Sequence, residues 1–253
     1  MIEITEVIKK SKIYTIRVNQ EVMDIEPEVV LKYRIKPMMS MDDKTFQALI
    51  NDQNYYHYLK KGLKKLSRMM TSFEMKSYLI DQACPMPVIK QIIMHFESKS
   101  YLNDQVYVKN YIEFKKNSDG PKLLRFKLLE KGILNELIDQ AFKNYDEEAI
   151  LMEIIPTKVK SIKKESIRQM NAKLRAYFMN KGFTLDIVDH VISKTIDWTI
   201  YDDKDVILKE FNKIYKQYQK KLEGYELKKK IYEKLYQKGY QKARIDDVLR
   251  HMD

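Results

Sequence analysis

Apolar and polar residues alternate along about the first 25 positions of the chain, which is the period of a half-buried β-strand. The alternation is clearest in KIYTIRV (residues 12–18), and the stretches KKSK and NQ are suitable turns. A short antiparallel meander is therefore predicted. Pro27 suits the first turn of a helix running to about Ile35, and Pro37 would stop that helix.

From the segment MSMDDKTFQALI onward, the apolar positions take helical spacing. Ser40, Asp42 and Asp43 are candidate N-caps, because short polar side chains accept hydrogen bonds from the free N–H groups of a first helical turn. Everything after about Asn51 is predicted to be helical. The chain has only six glycines and six prolines, and most of them punctuate this helical pattern.

One helical pattern recurs around a Lys-Gly pair. An apolar residue lies four positions before the glycine, another follows it directly, and Ile or Val lies six positions after it, followed by Asp. The clear copies are LLEKGILNELIDQAF from Leu128, FMNKGFTLDIVDHVI from Phe178 and LYQKGYQKARIDDVL from Leu235. A degenerate copy, LIDQACPMPVIKQII, has Ala83 at the glycine position, and Pro85 and Pro87 are expected to enforce its helix break. Positions 83, 132, 182 and 239 are separated by 49, 50 and 57 residues, which indicates a helical repeat array.

The Lys-Gly pair is explained by the way a helix ends. The last carbonyls of a helix lack intrahelical donors, and a left-handed residue lets the following amides reach them, which glycine does without a Cβ penalty. A lysine in the last turn meets the negative end of the helix dipole. The predicted structural caps are Gly132, Gly182 and Gly239, with Lys131, Lys181 and Lys238 before them and Ile133, Phe183 and Tyr240 folding back after them.

Each copy also has a leading helix that begins after a tyrosine and polar capping residues, in YLND, YDEE and YDDK. The predicted fold is therefore mainly α: a tandem array of about four three-helix repeats after a small N-terminal β-meander and short helices. The expected domains are residues 1–51 and a repeat array over 52–253, with repeats at about 52–98, 99–144, 145–195 and 196–253. The recurrent aspartates, Asp139, Asp189 and Asp246, are interpreted as solvated or ion-paired surface residues.

The net charge of +11 has two explanations. It suits an acidic partner such as nucleic acid or a nucleoprotein. It also matches the Lys-, Ile-, Tyr- and Asn-rich composition that an AT-rich genome tends to encode, in which case many lysines only solvate helix faces.

A soluble cytoplasmic protein is expected. The single cysteine, Cys84, excludes an internal disulfide framework and fits a reducing compartment. The start, MIEITEVIKKSK, lacks the apolar core of a secretory signal. No segment approaches the roughly 18 uninterrupted apolar residues of a membrane span.

Enzymatic function is not expected, and neither is a cofactor or a metal. The four histidines are scattered without metal-ligand spacing, and no phosphate-binding loop, nucleophile elbow or dinucleotide fingerprint occurs. Cys84 is interpreted as a packed residue. The pairs Asp42-Asp43 and Asp202-Asp203 are better explained as helix caps than as a divalent-cation site.

The succession YLNDQVYVKNYI, GPKLLRFKLLEKGI, LIDQAF and LRAYFMNKGFTLDIVDHVI resembles the RecX family of recombination regulators. The earlier segment VLKYRIKPMMSMDDKTFQALI resembles the N-terminal region of longer members, so the resemblance runs from about residue 13 to the C-terminus. The degenerate first copy and the alternation before Lys12 depart from the family pattern and leave the role of the N-terminal part open.

This resemblance implies a non-enzymatic protein that binds the RecA recombinase, particularly its filament on single-stranded DNA, and restrains its ATPase and strand exchange. It implies a role in homologous recombination and DNA repair. A monomer is expected, and direct contact with single- or double-stranded DNA stays open.

Basic residues on the middle helices are the candidate contacts with the partner or with DNA: Lys122, Arg125, Lys127, Lys131, Lys173, Arg175, Lys181, Lys228, Lys229 and Lys230. They could equally be ordinary solvated positions. An alternative function is direct binding of nucleic acid by the tyrosine- and lysine-rich segment Tyr215–Lys242, with tyrosines stacking on bases. Several apolar residues there are spaced as a helix core instead: Tyr218, Leu222, Tyr225, Ile231 and Leu235.

Overall fold

The predicted N-terminal meander is present in the computed structural model, which describes residues 1–162, 165–198 and 203–250. Its strands are β1 (Ile2–Lys9), β2 (Tyr14–Val18), β3 (Glu21–Ile25) and β4 (Met39–Met41). They form an antiparallel sheet in the order β3-β2-β1-β4. Asn19 and Gln20 take positive φ angles of 51° and 106° and form the tight turn between β2 and β3. The strand β4 is an addition to the predicted meander, and it pairs with the start of β1.

The first two helices flank β4 and begin where Pro27 and the polar caps predict them. Helix α1 (Pro27–Tyr33) has proline in its first turn and ends at Arg34, whose φ is 49°. Helix α2 (Asp43–Lys65) is capped by Asp42, whose carboxylate accepts a hydrogen bond from the Thr45 N–H at 2.9 Å. The predicted domain boundary at residue 51 falls within α2, and the division of the chain into domains stays a prediction.

The rest of the chain is helical, and its helices form consecutive groups of three, the first of which begins with α2. They are α3 (Ser72–Asp81), α4 (Met86–Ser98), α5 (Asp104–Lys115), α6 (Pro121–Glu130), α7 (Asn135–Phe142), α8 (Glu147–Ser161), α9 (Ile167–Asn180), α10 (Leu185–Thr195), α11 (Lys204–Tyr218), α12 (Gly224–Gln237) and α13 (Lys242–Arg250). Each repeat has a leading, a middle and a third helix, the middle ones being α3, α6, α9 and α12. The mainly helical, four-repeat fold predicted from the sequence is confirmed.

The chain forms two compact units. The first contains residues 1–110 and 128–141, and the second contains residues 111–127 and 142–253. In the first unit, one core joins the sheet to α1 and α2 around Ile4, Ile16 and Leu49, and another joins α2, α3 and α4 around Phe96. In the second unit, one core lies among α8, α9 and α10 and another among α11, α12 and α13.

The helices are amphipathic, with charged residues toward solvent. Across residues 1–162, 165–198 and 203–250, none of them combines the length and the apolar character required to span a membrane.

Candidate partner-binding surface

The residue at the repeated glycine position is left-handed in all four repeats. The φ angles of Gly132, Gly182 and Gly239 are 72°, 83° and 85°. In each repeat the N–H of the next residue donates to the carbonyl five positions earlier, as from Ile133 to Leu128 at 3.1 Å. This is the hydrogen-bond pattern of a Schellman cap. The glycines therefore end the middle helices as predicted.

The degenerate first repeat closes in the same way. Ala83 has a φ of 59°, and the Cys84 N–H donates to the Leu79 carbonyl at 3.0 Å. The expectation that Pro85 and Pro87 replace the cap is therefore wrong, because alanine itself takes the left-handed conformation. Pro85 instead precedes the first turn of α4.

The caps also join consecutive repeats, which the sequence did not predict. In three places the N-terminal end of a middle helix donates a hydrogen bond to the carbonyl of the capping lysine in the next repeat. The pairs are Thr71 Oγ1 to Lys131 at 2.8 Å, Gly120 N to Lys181 at 2.7 Å and Ser166 Oγ to Lys238 at 2.5 Å. We call these three contacts the junctions.

Glycine is needed at the junctions for space as well as for conformation. A Cβ atom on Gly182 would lie 2.6 Å from the Leu123 nitrogen and 2.7 Å from the Leu123 Cβ. A Cβ on Gly239 would lie 2.7 Å from the Cβ of Arg168, and one on Gly132 would overlap Phe73. The first turn of each docked helix thus presses on the glycine of the following repeat.

The hydroxyls of Thr71 and Ser166, at the first and third junctions, are buried. Each has one hydrogen-bond partner in its own helix and one in the next repeat. Thr71 donates to the Lys131 carbonyl and accepts from the Glu74 N–H at 3.0 Å, while Glu74 completes a capping box. Ser166 donates to Lys238 and accepts from the Gln169 N–H at 3.4 Å. Each hydroxyl thus caps its own helix while bonding to the next repeat.

The Lys131 side chain belongs to the first junction as well. Its ammonium lies 2.7 Å from Glu74 Oε1. Burial opposes the charged form, but the hydrogen bonds from Lys131 to Glu74 and Tyr107 outweigh burial and raise the pKa of Lys131. Lys131 therefore stays charged in the folded protein.

Four other predicted contact residues hold ion pairs within the second unit, and one of them is Lys230, whose ammonium lies 3.7 Å from Glu233. Lys127 lies 2.6 Å from the buried carboxylate of Asp119, and Lys173 lies 2.7 Å from Glu165. In both pairs the acidic residue lies two positions before its middle helix begins. Arg175 lies 2.9 Å from Asp189, one of the recurrent aspartates.

Together with Lys230, the remaining predicted basic residues lie at or near the surface of the middle helices. Lys122 and Lys229 are exposed, and Lys181, Lys228 and Lys230 are half-buried. The guanidinium of Arg125 covers the ring of Phe142 at 4.5 Å, and the Lys230 ammonium lies 6.0 Å from the Tyr218 ring.

A further set of surface residues was missed from the sequence. In every repeat, the residue three positions before the cap is large, apolar and about half exposed. The four residues are Ile80 at 49%, Leu129 at 47%, Met179 at 51% and Tyr236 at 59% relative exposure. The sequence did contain a signal for these residues. Two consecutive apolar residues lie four and three positions before each cap, whereas an amphipathic helix that buries one face needs only one of them.

The tyrosine-rich segment is mostly core, as its spacing predicts. Tyr218, Leu222, Ile231 and Leu235 pack among α11, α12 and α13. Tyr225 is the exception to that prediction, since it is 80% exposed.

Catalytic or metal-binding groupings do not stand out. Within the described ranges, no cluster of three or more His, Cys, Asp or Glu side chains could hold a metal ion. Cys84 is buried, and burial raises the pKa of its thiol to about 11, so it is a poor nucleophile at neutral pH. Asp42 caps α2 as predicted, whereas Tyr201, Asp202 and His251 lie outside the described residues.

Curated proteins similar to this chain carry one description. Regulatory protein RecX of Streptococcus agalactiae serotype Ia shares 28% identity over 254 residues, which covers 98% of each chain. Its counterpart in Streptococcus mutans serotype c shares 28% over 265 residues, again 98% of each. That of Streptococcus equi subsp. zooepidemicus shares 24% over 246 residues, 94% of this chain and 95% of the relative. No protein-family model matches the chain.

Two solved structures share the helical fold. A crystal structure of regulatory protein RecX matches with a TM-score of 0.59 at 17% identity, covering 76% of this chain and 100% of that one. The crystal structure of RecX from Lactobacillus salivarius matches with a TM-score of 0.51 at 22% identity, covering 56% of this chain and 96% of that one.

Proposed function

Because the chain belongs to the RecX family, whose curated members are named regulatory proteins, we propose that it binds the RecA recombinase and its filament on single-stranded DNA. Binding restrains ATP hydrolysis and strand exchange and so regulates homologous recombination and DNA repair. The full-length similarity to the streptococcal RecX proteins is the observation that carries this proposal.

The protein acts by binding, without chemistry of its own. The description of the curated relatives as regulatory proteins supports this part of the proposal. Inhibition follows from occlusion: neighbouring repeats contact neighbouring subunits of the filament and hinder the movements that accompany hydrolysis and strand exchange.

The junctions suit such a role because they fix consecutive repeats to one another at three points. Because the repeats belong to one chain, the first contact with a partner raises the effective concentration of the next. The net charge of +11 speeds encounter with a polyanionic nucleoprotein and makes the association rate depend on salt.

Direct binding of nucleic acid is a second candidate function. Tyr225 and Tyr236 are exposed on α12, and lysines surround them in the sequence GYELKKKIYEKLYQK. Exposed tyrosines among lysines are suited to stacking on unpaired bases. This function predicts an affinity that falls steeply as salt rises, because each lysine–phosphate contact releases condensed counterions.

The test is the ATPase rate of RecA on single-stranded DNA as the protein is titrated in, with binding to bare DNA followed at the same salt. Inhibition at concentrations too low to coat the bare DNA would support the filament regulator. Inhibition that appears only when bare DNA is saturated would favour the second function. No effect on the ATPase rate would contradict the proposed function.

A matched pair of charge variants identifies the surface involved. Lys122→Glu with Lys229→Glu reverses two exposed charges on the middle helices, while Lys36→Glu with Lys44→Glu makes the same change in net charge in the N-terminal region. The first pair is expected to weaken inhibition at least tenfold, and the second is expected to leave it within about twofold. Equal loss in both pairs would mean that only net charge matters.

A further inference from the structure

The half-exposed apolar residue three positions before each cap has a backbone position fixed by a hydrogen bond. In every repeat, the N–H of the left-handed residue donates to the carbonyl of this apolar residue, as from Gly182 to Met179 at 2.9 Å and from Ala83 to Ile80 at 2.8 Å. The residue just before it in sequence is fully or almost fully buried in all four repeats: Leu79, Leu128, Phe178 and Leu235. The apolar side chain is therefore presented to solvent from an ordered position, and its four occurrences form a set.

Each of these four apolar residues has a neighbour four positions earlier, on the same face of its helix. In the first three repeats the neighbour is cationic, and the pairs are Lys76 with Ile80, Arg125 with Leu129 and Arg175 with Met179. In the fourth repeat it is Tyr232, whose ring stacks on that of Tyr236 with centroids 6.2 Å apart. We call these eight residues the cation–apolar set. Of its apolar members, Ile80 and Leu129 belong to the first compact unit and Met179 and Tyr236 to the second.

We propose that the cation–apolar set docks an acidic protein surface that repeats an apolar recess flanked by carboxylates. Under the proposed function, on which this inference rests, that surface is the protein part of the recombinase filament and not its DNA. Three of the four apolar members are aliphatic, so they fit apolar recesses in a protein and cannot stack on bases as aromatic rings do. The cationic members complement carboxylates at the rim of such recesses.

A repeating partner follows from the repeating set. One aliphatic side chain with one cation is a small contact, and several such contacts acting together give useful affinity only when the partner offers them at successive positions. A polymer of identical subunits does so. Arg175 forms an ion pair with Asp189, but the two side chains remain 45% and 42% exposed. The guanidinium of Arg175 can therefore still reach a carboxylate of the partner.

The test compares two doubly substituted proteins with the wild type. Leu129→Ser with Met179→Ser removes two central apolar members, whereas Leu31→Ser with Met94→Ser removes two other exposed apolar residues on α1 and α4. Binding to RecA filaments on single-stranded DNA and to bare single-stranded DNA is measured for each protein. The first variant is expected to bind filaments at least tenfold more weakly and bare DNA unchanged, while the second binds both like the wild type.

Each other result has a distinct meaning. If the wild type binds and inhibits filaments and the first variant does so equally well, the inference fails and the proposed function stands. If the first variant loses bare-DNA binding in parallel, the set contacts nucleic acid and the inference is wrong. If the wild type does not bind filaments, both fail. Leu129→Gln with Met179→Gln, which keeps side-chain length and helix propensity, repeats the test should the serine variant unfold, and a filament affinity like the wild type's would overturn the inference.

Discussion

Replacing Gly182 with alanine tests whether the junctions depend on close approach. Gly182 has a φ of 83°, and the added methyl group would overlap the first turn of α6 at Leu123. Gly224 is the matched control, because its φ is also positive, at 51°, but a Cβ there would meet nothing within 4 Å. Both variants incur the left-handed penalty for a non-glycine residue, and only Gly182→Ala also displaces a neighbouring helix.

The two costs can be estimated separately. The left-handed conformation costs alanine about 1–2 kcal/mol, and the lower entropy of the unfolded chain returns about 0.4–1 kcal/mol. Gly224→Ala should therefore lose between roughly 0 and 1.6 kcal/mol. Displacing α6 also threatens the hydrogen bonds from Gly120 N to Lys181 and from Lys122 N to Gly182, at 2.7 and 3.1 Å. At about 1 kcal/mol each, their loss makes Gly182→Ala roughly 2 kcal/mol worse than the control.

Urea unfolding followed by circular dichroism measures this difference. With an m-value of about 2 kcal/mol per M, the midpoint of Gly182→Ala should lie roughly 1 M below that of Gly224→Ala. Trp198, the single tryptophan, packs on the core of α8 to α10, so its fluorescence reports the repeat that contains Gly182. Equal midpoints for the two variants would refute the role assigned to close approach.

Three further predictions concern other parts of the chain. Because burial raises the Cys84 pKa from 9.0 to about 11, its thiolate fraction at pH 8 is roughly 100-fold lower than in the unfolded chain, and alkylation in native buffer should be slower by about that factor than in urea. The buried hydroxyl of Tyr145 has no hydrogen-bond partner within the described residues, so Tyr145→Phe should leave the urea midpoint unchanged or raise it, and a marked fall would reveal a partner. Leu49 is fully buried where α2 meets the sheet, so Leu49→Ala should cost about 3 kcal/mol in urea unfolding, whereas Leu31→Ala, on an exposed side chain, should change stability by less than about 0.5 kcal/mol. Similar losses in both would contradict this account of the sheet core.

Local signals in the sequence were sufficient for the caps. A glycine after a helical pattern needs only its own conformation to end that helix, so Gly132, Gly182 and Gly239 could be assigned from the sequence. Ala83 could not be assigned, because alanine carries no sign of the left-handed conformation that it takes here. The three-residue strand β4 was also missed, since an alternation that short has no recognisable period.

The junctions could not be predicted because they depend on which distant segments meet. Thr71 and Lys131 are 60 residues apart, and no local sequence feature of either residue identifies the other as its hydrogen-bond partner. The ion pairs Asp119–Lys127 and Glu165–Lys173 join a loop to the second turn of a helix, which is not a spacing that helix periodicity reveals. For the same reason, the sequence could place basic residues on the middle helices but could not distinguish the paired ones from the exposed ones.

The direction of the junctions sets a rule for changing the number of repeats. Every junction runs from the start of one middle helix to the cap of the following repeat, so among the described residues no junction ends at the first cap and none begins at α12. Ala83 takes part in no junction among these residues, and its carbonyl accepts a hydrogen bond from the Tyr58 hydroxyl at 3.1 Å instead. A repeat added at the C-terminal end would need only a glycine cap of its own, whereas one inserted before the first repeat would also require Ala83 to become glycine. Gain and loss of repeats should therefore be easier at the C-terminal end of the protein.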